Sequence, residues 1–382
     1  MNYKGKKVLI TGHTGFKGAW MTKILLDMGA EVCGYSMEPP TEPALFGLLG
    51  LSKEVDAVPR DVRDLDTMMS VFAKFRPEIV IHMAAQPIVR ESYRNPVYTY
   101  ETNVMGTVNV LECIRQTESV NSFINVTTDK VYRNREWAWG YRENEELNGH
   151  DPYSNSKSCS ELVTSSYQNS FFGKPEYGQT DALTTKDRKP QFGTKDGKRL
   201  VCVSTCRAGN VIGGGDFAAD RIIPDCVRAA GKKEPIIIRN PYSIRPYQHV
   251  LEPVVTYLQL AERQLEEPDL AGSYNIGPEE SDCITTGELA DLFCGKWTAL
   301  SGEQIAWVNR HDGGPHEASF LKLDCSMIKS ALGWKPTWDI GMAVEKSVEW
   351  YYEYENGGDG RAVTEKQIKE FLGHSADNGL SF

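Results

Sequence analysis

The strongest constraint on this chain is a glycine loop at its first turn. "VLITGHTGFKG" sets Gly12, Gly15 and Gly18 between an apolar run and a helix-like segment. Such glycines let the backbone turn tightly and approach a diphosphate, which the open amides of a helix start then stabilise. The spacing is GxxGxxG rather than GxGxxG. Alone it would be an ordinary tight turn. Between a first strand and a first helix it points to a bound dinucleotide. Thr14 and Phe16 lie inside the loop and join the three glycines as expected cofactor contacts.

The strand-and-helix rhythm continues beyond the loop. "FKGAWMTKILLDMG" has helical spacing and ends on Gly29, and "AEVCGYS" reads as a second strand. "DTMMSVFAKF" predicts a helix, "EIVIHMA" a third strand, "NVMGTVNVLECIRQ" a helix and "SFINVTT" a fourth strand. Apolar strands joined by helical crossovers imply a parallel sheet covered on both faces. The expected fold class is α/β: a Rossmann-type doubly wound parallel sheet with a smaller α/β substrate-binding unit. Residues 1–208 plus about 246–264 are assigned to the cofactor unit, and 209–245 and 265–382 to the substrate unit. "LVCVSTC" predicts another strand, and "TTGELADLFCGKW" and "GMAVEKSVEWYYEY" late helices. Between 174 and 199 the chain is polar and lacks periodicity, which predicts a long exposed loop.

Bulk properties narrow the partners. The 382 residues are 40% hydrophobic, enough for a large core and more than most small single domains need. The net charge of -10 makes nucleic acid or an anionic membrane a poor partner. Nine cysteines are scattered without a CxxC pair or a histidine cluster, so free thiols are expected and no metal site. The start, MNYKGKKVLITG, reads as a strand rather than a signal peptide, and no apolar run approaches the ~20 residues that span a bilayer. A soluble cytoplasmic protein is expected.

The second strand ends Tyr35-Ser36-Met37-Glu38. It carries neither an Asp for ribose hydroxyls nor an Arg for a 2′-phosphate; NAD is favoured over NADP. Lys17 reads as solvated. Asp61 and Val62 in "RDVRD" are placed for adenine contacts, and the turn Ala84-Ala85 follows the third predicted strand. In "DPYSNSKSCSEL", Tyr153 and Lys157 are four apart and share one helix face. A nearby ammonium lowers a phenol from its usual pKa of about 10 toward a base usable near neutrality. Lys157 also suits the nicotinamide ribose.

Together, the glycine loop, the strands and Tyr-x-x-x-Lys resemble the extended short-chain dehydrogenase/reductase family. "TTDK", "AAQPIVR", "EWAWGYRE", "RAGNVIGGGD" and "RPYQHVLEP" narrow the resemblance to its nucleotide-sugar 4,6-dehydratase branch, over nearly the whole chain. Where that branch carries Thr-Asp-Glu, this chain has Thr128-Asp129-Lys130. The resemblance implies a nucleotide-sugar substrate, NAD regenerated within each turnover, and a place in deoxysugar biosynthesis such as that of lipopolysaccharide O-antigen.

It also implies roles. Tyr153 takes the sugar 4-hydroxyl proton, Thr128 binds the 4-oxygen, and Asp129 protonates the leaving 6-hydroxyl. Lys130 is either the base for the C5 proton or a fixed charge beside the enolate. Asn210 and Arg245 match substrate-binding positions; Gln86, after the Ala-Ala turn, is a further substrate candidate, and Arg90 reads equally as a diphosphate contact or an exposed arginine. His316 and Glu317 match a segment near the nucleotide ribose, which reads equally as a structural turn. A 4-epimerase would share the loop, Tyr153 and Lys157 but has no need of Asp129 and Lys130. The family implies a homodimer, or a tetramer, built on "TVNVLECIRQ" and "SKSCSELVTSSYQ" or leaving these as sheet-packing helices.

Overall fold

The computed structural model describes residues 1–177, 190–310 and 320–377. Seven strands make one sheet: β1 (Lys7–Thr11), β2 (Glu31–Ser36), β3 (Asp56–Pro59), β4 (Ile79–His82), β5 (Ser122–Val126), β6 (Cys202–Ala208) and β7 (Ser273–Ile276). Their order is β7-β6-β5-β4-β1-β2-β3 and every pairing is parallel. The chain winds outward from β1 in one direction, then returns to β4 and winds the other way. A ligand crevice therefore opens at the carboxyl ends of β1 and β4.

Side-chain alternation explains the layers. Val8 and Ile10 of β1 share a core with Trp20, Ile24 and Leu25 of the first helix, α1 (Phe16–Asp27). Leu9, between them, joins Met68 and Phe72 of α2 (Leu65–Phe75) and Leu111 and Ile114 of α3 (Gly106–Gln116) in a second core. A strand sends successive side chains to opposite faces, so one strand feeds both cores. The helix α4 (Pro152–Ser170) closes the same side as α3. Asp151 caps it by accepting from Ser154 N at 3.0 Å, and Pro152 sits in its first turn.

The smaller elements wall the crevice. Helix α5 (Ile222–Gly231), the strand pair Ile236–Ile238 with Trp307–Asn309 and the pair Ile244–Arg245 with Ile284–Thr285 lie beyond the sheet ends. Helix α6 (Leu251–Arg263) returns to the sheet and packs on α1.

Four sequence expectations need correcting. Strand β3 was not anticipated, because "DAVP" is a short, mostly exposed edge strand with little apolar signal. Strand β7 belongs to the main sheet, paired with β6, although its residues fell in the stretch assigned to the substrate unit. The last helix, Gly360–Asp377, also leans on the cofactor half: Lys23 of α1 meets Glu365 at 2.8 Å and Arg361 meets Glu54 at 2.7 Å. Within the polar stretch, Gly193–Lys195 and Lys198–Leu200 form an antiparallel hairpin that joins Phe172–Gly173; the middle of the stretch lies outside the described residues. All nine cysteines are free thiols, and no described helix is long and apolar enough to cross a membrane.

Candidate active site

The glycine loop turns directly over the end of β4. Gly12 has φ +80°, and a Cβ there would lie 2.7 Å from the Ala84 amide nitrogen. A Cβ at Gly18 would collide with the Gly12 carbonyl. Gly15 differs: the nearest atom to a Cβ would be 3.4 Å away, so the protein's own packing does not require glycine there. It begins α1 with no side-chain cap, leaving bare backbone and open amides suited to a diphosphate. These residues fit a dinucleotide. At the end of β2, the Thr14 hydroxyl bonds Ser36 Oγ at 2.7 Å and donates to Met37 O at 3.0 Å. Two hydroxyls thus stand where an acidic residue was sought.

A cavity of about 760 Å³ opens beside the loop, within the size range of small-molecule sites. Among its walls are Phe16, Arg90, Thr128, Lys130, Tyr153, Asn210 and Arg245, so the structure gathers candidates from distant parts of the sequence. Asp129 lies just behind and is fully buried. Its Oδ1 accepts from the Thr128 hydroxyl at 2.9 Å and from Lys130 Nζ at 3.2 Å. Its Oδ2 has no hydrogen-bond partner among the described residues. Lys130 Nζ also reaches Asn210 Oδ1 at 3.3 Å. Thr128 hydrogen-bonds the Tyr153 phenol.

Burial raises the Tyr153 phenol to about 12; the Thr128 bond and the Arg221 charge pull it down, while Asp129 and Asp151 push it up. Lys157 is not among the largest influences on it. Its Nζ donates to Val126 O at 3.1 Å, and burial, with the charge of Lys17, brings it down to about 7. Lys157 is thus anchored to the end of β5. Lys17 needs correcting. It is not a solvated lysine but a wall of this cavity, lowered to about 8 by burial and then by Arg221.

Other candidates sort by position. Arg90 lines the cavity, 3.9 Å from Asp220. Arg245 lines it nearly buried. Gln86 does not reach it: its Nε2 donates to Thr99, its Oε1 accepts from Ile88 N, and it braces Asn103 behind the wall. Its amide is spent on holding the turn after Ala84 and Ala85. The Asp61 carboxylate is held by Arg63 at 2.9 Å, while Val62 is buried against Gly106. His316 and Glu317 lie outside the described residues. Sequence reasoning missed Arg221 and Asp216; the charged pair in "GGGDFAADR", just before a helix start, was the available signal.

The sheet, the glycine loop and the Tyr153–Lys157 helix define a short-chain dehydrogenase/reductase of the extended kind. A family model described as GDP-mannose 4,6 dehydratase matches residues 9–175. The CDP-glucose 4,6-dehydratase of Salmonella typhimurium is 43% identical over 97% of both chains. Among solved structures, the UDP-glucose 4-epimerase of Thermus thermophilus in complex with NAD superposes with a TM-score of 0.71 at 22% identity, over 91% of this chain and 99% of that one. The dTDP-glucose 4,6-dehydratase of Bacillus anthracis, also with NAD, gives 0.68 at 19% identity, over 93% and 99%. The chain belongs to the nucleotide-sugar 4,6-dehydratase family.

Proposed function

We propose that this protein is a CDP-glucose 4,6-dehydratase, converting CDP-D-glucose to CDP-4-keto-6-deoxy-D-glucose and water. The observation that carries the reading is the Asp129–Lys130 pair beside Thr128 and Tyr153 at the cavity wall. An epimerase of the same fold needs no such pair. The choice of cytidine rests on the 43% identical relative.

Residues Gly12, Thr14, Gly15, Phe16 and Gly18, with Asp61, Val62, Ala84, Ala85, Tyr153 and Lys157, would hold NAD. When bound, NAD would supply the hydride acceptor for C4 and the hydride donor for C6 of the same sugar. The protein's own groups move the protons. Tyr153 takes the 4-hydroxyl proton, with Thr128 hydrogen-bonded at that oxygen. The resulting ketone acidifies C5; Lys130 in its neutral form removes that proton and returns one to C5 when C6 is reduced. Asp129, protonated, delivers a proton to the 6-hydroxyl, which leaves as water. The Lys130–Asp129 contact of 3.2 Å lets the two exchange a proton between steps. Arg90, Asn210 and Arg245 would hold the sugar diphosphate; the two arginines supply charge for it.

The test is mass spectrometry of CDP-glucose incubated with enzyme and NAD, beside UDP-, dTDP- and GDP-sugars. Loss of one water from CDP-glucose alone, without NADH accumulation, is expected. Unchanged mass with a rearranged sugar would replace this reading with an epimerase. For Lys130, the variant Lys130→Met in heavy water should lose C5 deuterium incorporation while still oxidising C4; undiminished incorporation sinks its role as base.

The division into cofactor and substrate units is proposed with β7 moved to the first. A cytoplasmic homodimer is proposed as well. Val97, 68% exposed, and Leu162, 55% exposed, share an outer surface with Tyr100 and Met105 where the helices before and after β5 meet. Light scattering separates this dimer from a tetramer or a monomer.

A further inference from the structure

Three neighbouring strands carry a polar row that the reaction as assigned above does not use. Thr11 closes β1, His82 closes β4, and Asn125 stands beside them in β5, each in register with the next. All three are buried. Their partners fix where each hydroxyl and ring proton points. Thr11 Oγ1 accepts from Met83 N and Ala84 N, both at 3.2 Å. Its own proton is left for His82 Nδ1, 2.6 Å away. On the far edge of the ring, Thr107 of α3 donates its one hydroxyl proton to Asn103 O at 2.7 Å. His82 Nε2, 3.2 Å from Thr107 Oγ1, must therefore carry a hydrogen and donate it. Both edges require the same tautomer: Nδ1 bare, Nε2 protonated. Thr107 takes a second bond from the Ser160 hydroxyl at 2.9 Å, and Ser160 accepts from Asn125 Nδ2 at 3.0 Å. Burial, then the charge of Lys157, brings the imidazole down to about 3, so the ring is uncharged near neutrality.

The row has two functional ends. Thr11 directly precedes Gly12, and the Ala84 amide that it holds is the group a Cβ on Gly12 would strike. Ser160 lies one turn beyond Lys157 on α4. We propose that His82, with its proton on Nε2, is a positioning residue that ties the turn of the cofactor loop to the helix carrying Tyr153 and Lys157. The inference rests on the reading of those two residues and NAD as the working parts. An apolar side chain could fill the same space. Only a group that accepts on one edge and donates on the other fixes both distances. Hydride transfer needs cofactor and base in register, and a displacement of about 1 Å can cost about 100-fold in rate.

The experiment uses the NAD-loaded full chain. Nitrogen NMR of isotope-labelled histidine, with the His82 signal assigned by its loss in His82→Asn, should show Nδ1 unprotonated and Nε2 protonated at neutral pH. The opposite tautomer, or an imidazolium, overturns the proposal. Turnover of CDP-glucose is then compared in wild type, His82→Leu, His82→Gln, His82→Asn and Ser160→Ala. His82→Leu should lower kcat about tenfold and leave KM within about twofold. Gln keeps a donor near the place of Nε2 and Asn an acceptor near that of Nδ1, so both should fall between. His82→Leu joined to Ser160→Ala should be little worse than the worse single variant, because both cut one chain of bonds. A lower melting temperature with unchanged kcat per folded molecule would make His82 merely structural and overturn the proposal, as would multiplied losses in the double variant. If His82→Leu fails to fold, His82→Gln and His82→Asn, each joined to Ser160→Ala, decide instead. A wild type that leaves CDP-glucose unchanged rejects the functional reading by itself, and the imidazole spectrum still decides the bridge.

Discussion

Strands β1 and β5 of the same sheet are packed in opposite styles. Around β1 the neighbours are apolar: Val8, Ile10, Trp20, Ile24 and Leu25 on one face, Leu9, Met68 and Phe72 on the other. Around β5 the face toward α4 changes from apolar at Phe123 to polar at Asn125. Asn125 donates to Ser160 Oγ at 3.0 Å and to Thr164 Oγ1 at 2.8 Å. Just beyond, Thr127, Thr205 and Arg207 converge on Glu161, with Arg207 Nη2 at 2.9 Å. Apolar contact is non-directional and lets neighbours settle; a hydrogen bond fixes distance and angle. The helix held by the directional contacts is the one that carries Tyr153 and Lys157. The lesson is that the two halves of the site have different tolerances: the cofactor half needs a shape, the catalytic helix a fixed position.

The comparison breaks most severely at Arg207. Both partners of the Glu161–Arg207 pair are about 2–3% exposed, and Arg207 also donates to the Tyr132 hydroxyl at 2.8 Å. Arg207→Met leaves a buried carboxylate without its cation, which costs about 3–5 kcal/mol. Chemical denaturation should show that loss. The Glu161→Gln/Arg207→Met double variant should recover part of it, because the uncompensated charge is gone.

A buried carboxyl in the apolar half sharpens the same contrast. Glu252 of α6 is raised to about 8, chiefly by burial, against the ordinary 4.5, while its Oε1 accepts from Thr337 N at 2.9 Å and Trp338 N at 2.7 Å. The folded protein holds this proton where the unfolded chain has lost it. Its stabilising contribution is therefore complete below about 4.5 and is lost as pH rises through about 8. Glu252→Gln keeps the acceptor and removes the titration. Thermal melts should show wild type losing stability from pH 6 to pH 9 more steeply than the variant, and parallel curves would refute the assignment.

This contrast also explains what the sequence made legible. Strands β1, β2, β4, β5 and β6 and helices α1 to α3 were readable because apolar periodicity reports burial. Gly12 and Gly18 were readable because only glycine fits so close a backbone. The serines of "SNSKSCSEL" gave no such signal. Ser154, Ser156, Ser158 and Ser160 are all buried, yet their burial depends on partners elsewhere: Asn103 for Ser156, Val131 O for Ser158, Thr107 for Ser160. Lys17 and Arg221 were misread or missed for the same reason. A charged residue is solvated by default, and only the meeting of α1, the segment after β5 and the start of α5 makes these two part of a cavity. Asp129 and Lys130 were found through resemblance and not through pattern.

The finest test sets one small deletion in each style side by side. Ser160→Ala removes a hydroxyl that bonds Asn125 at 3.0 Å and Thr107 at 2.9 Å, inside a fully buried network. Its partners stay buried with fewer bonds, so about 1–3 kcal/mol should be lost. Ile24→Val removes one methylene from the apolar core and should cost only about 0.5–1.5 kcal/mol. The decisive difference is in turnover rather than stability. Ser160 lies one turn beyond Lys157, so releasing it loosens the helix that aims Tyr153, and kcat should fall more than KM changes. Ile24 packs under the first crossover, where neighbours can close on the gap, and kcat should stay at the wild-type value. Equal effects on kcat from both substitutions would mean that the polar network holds the catalytic helix no more tightly than ordinary apolar packing does.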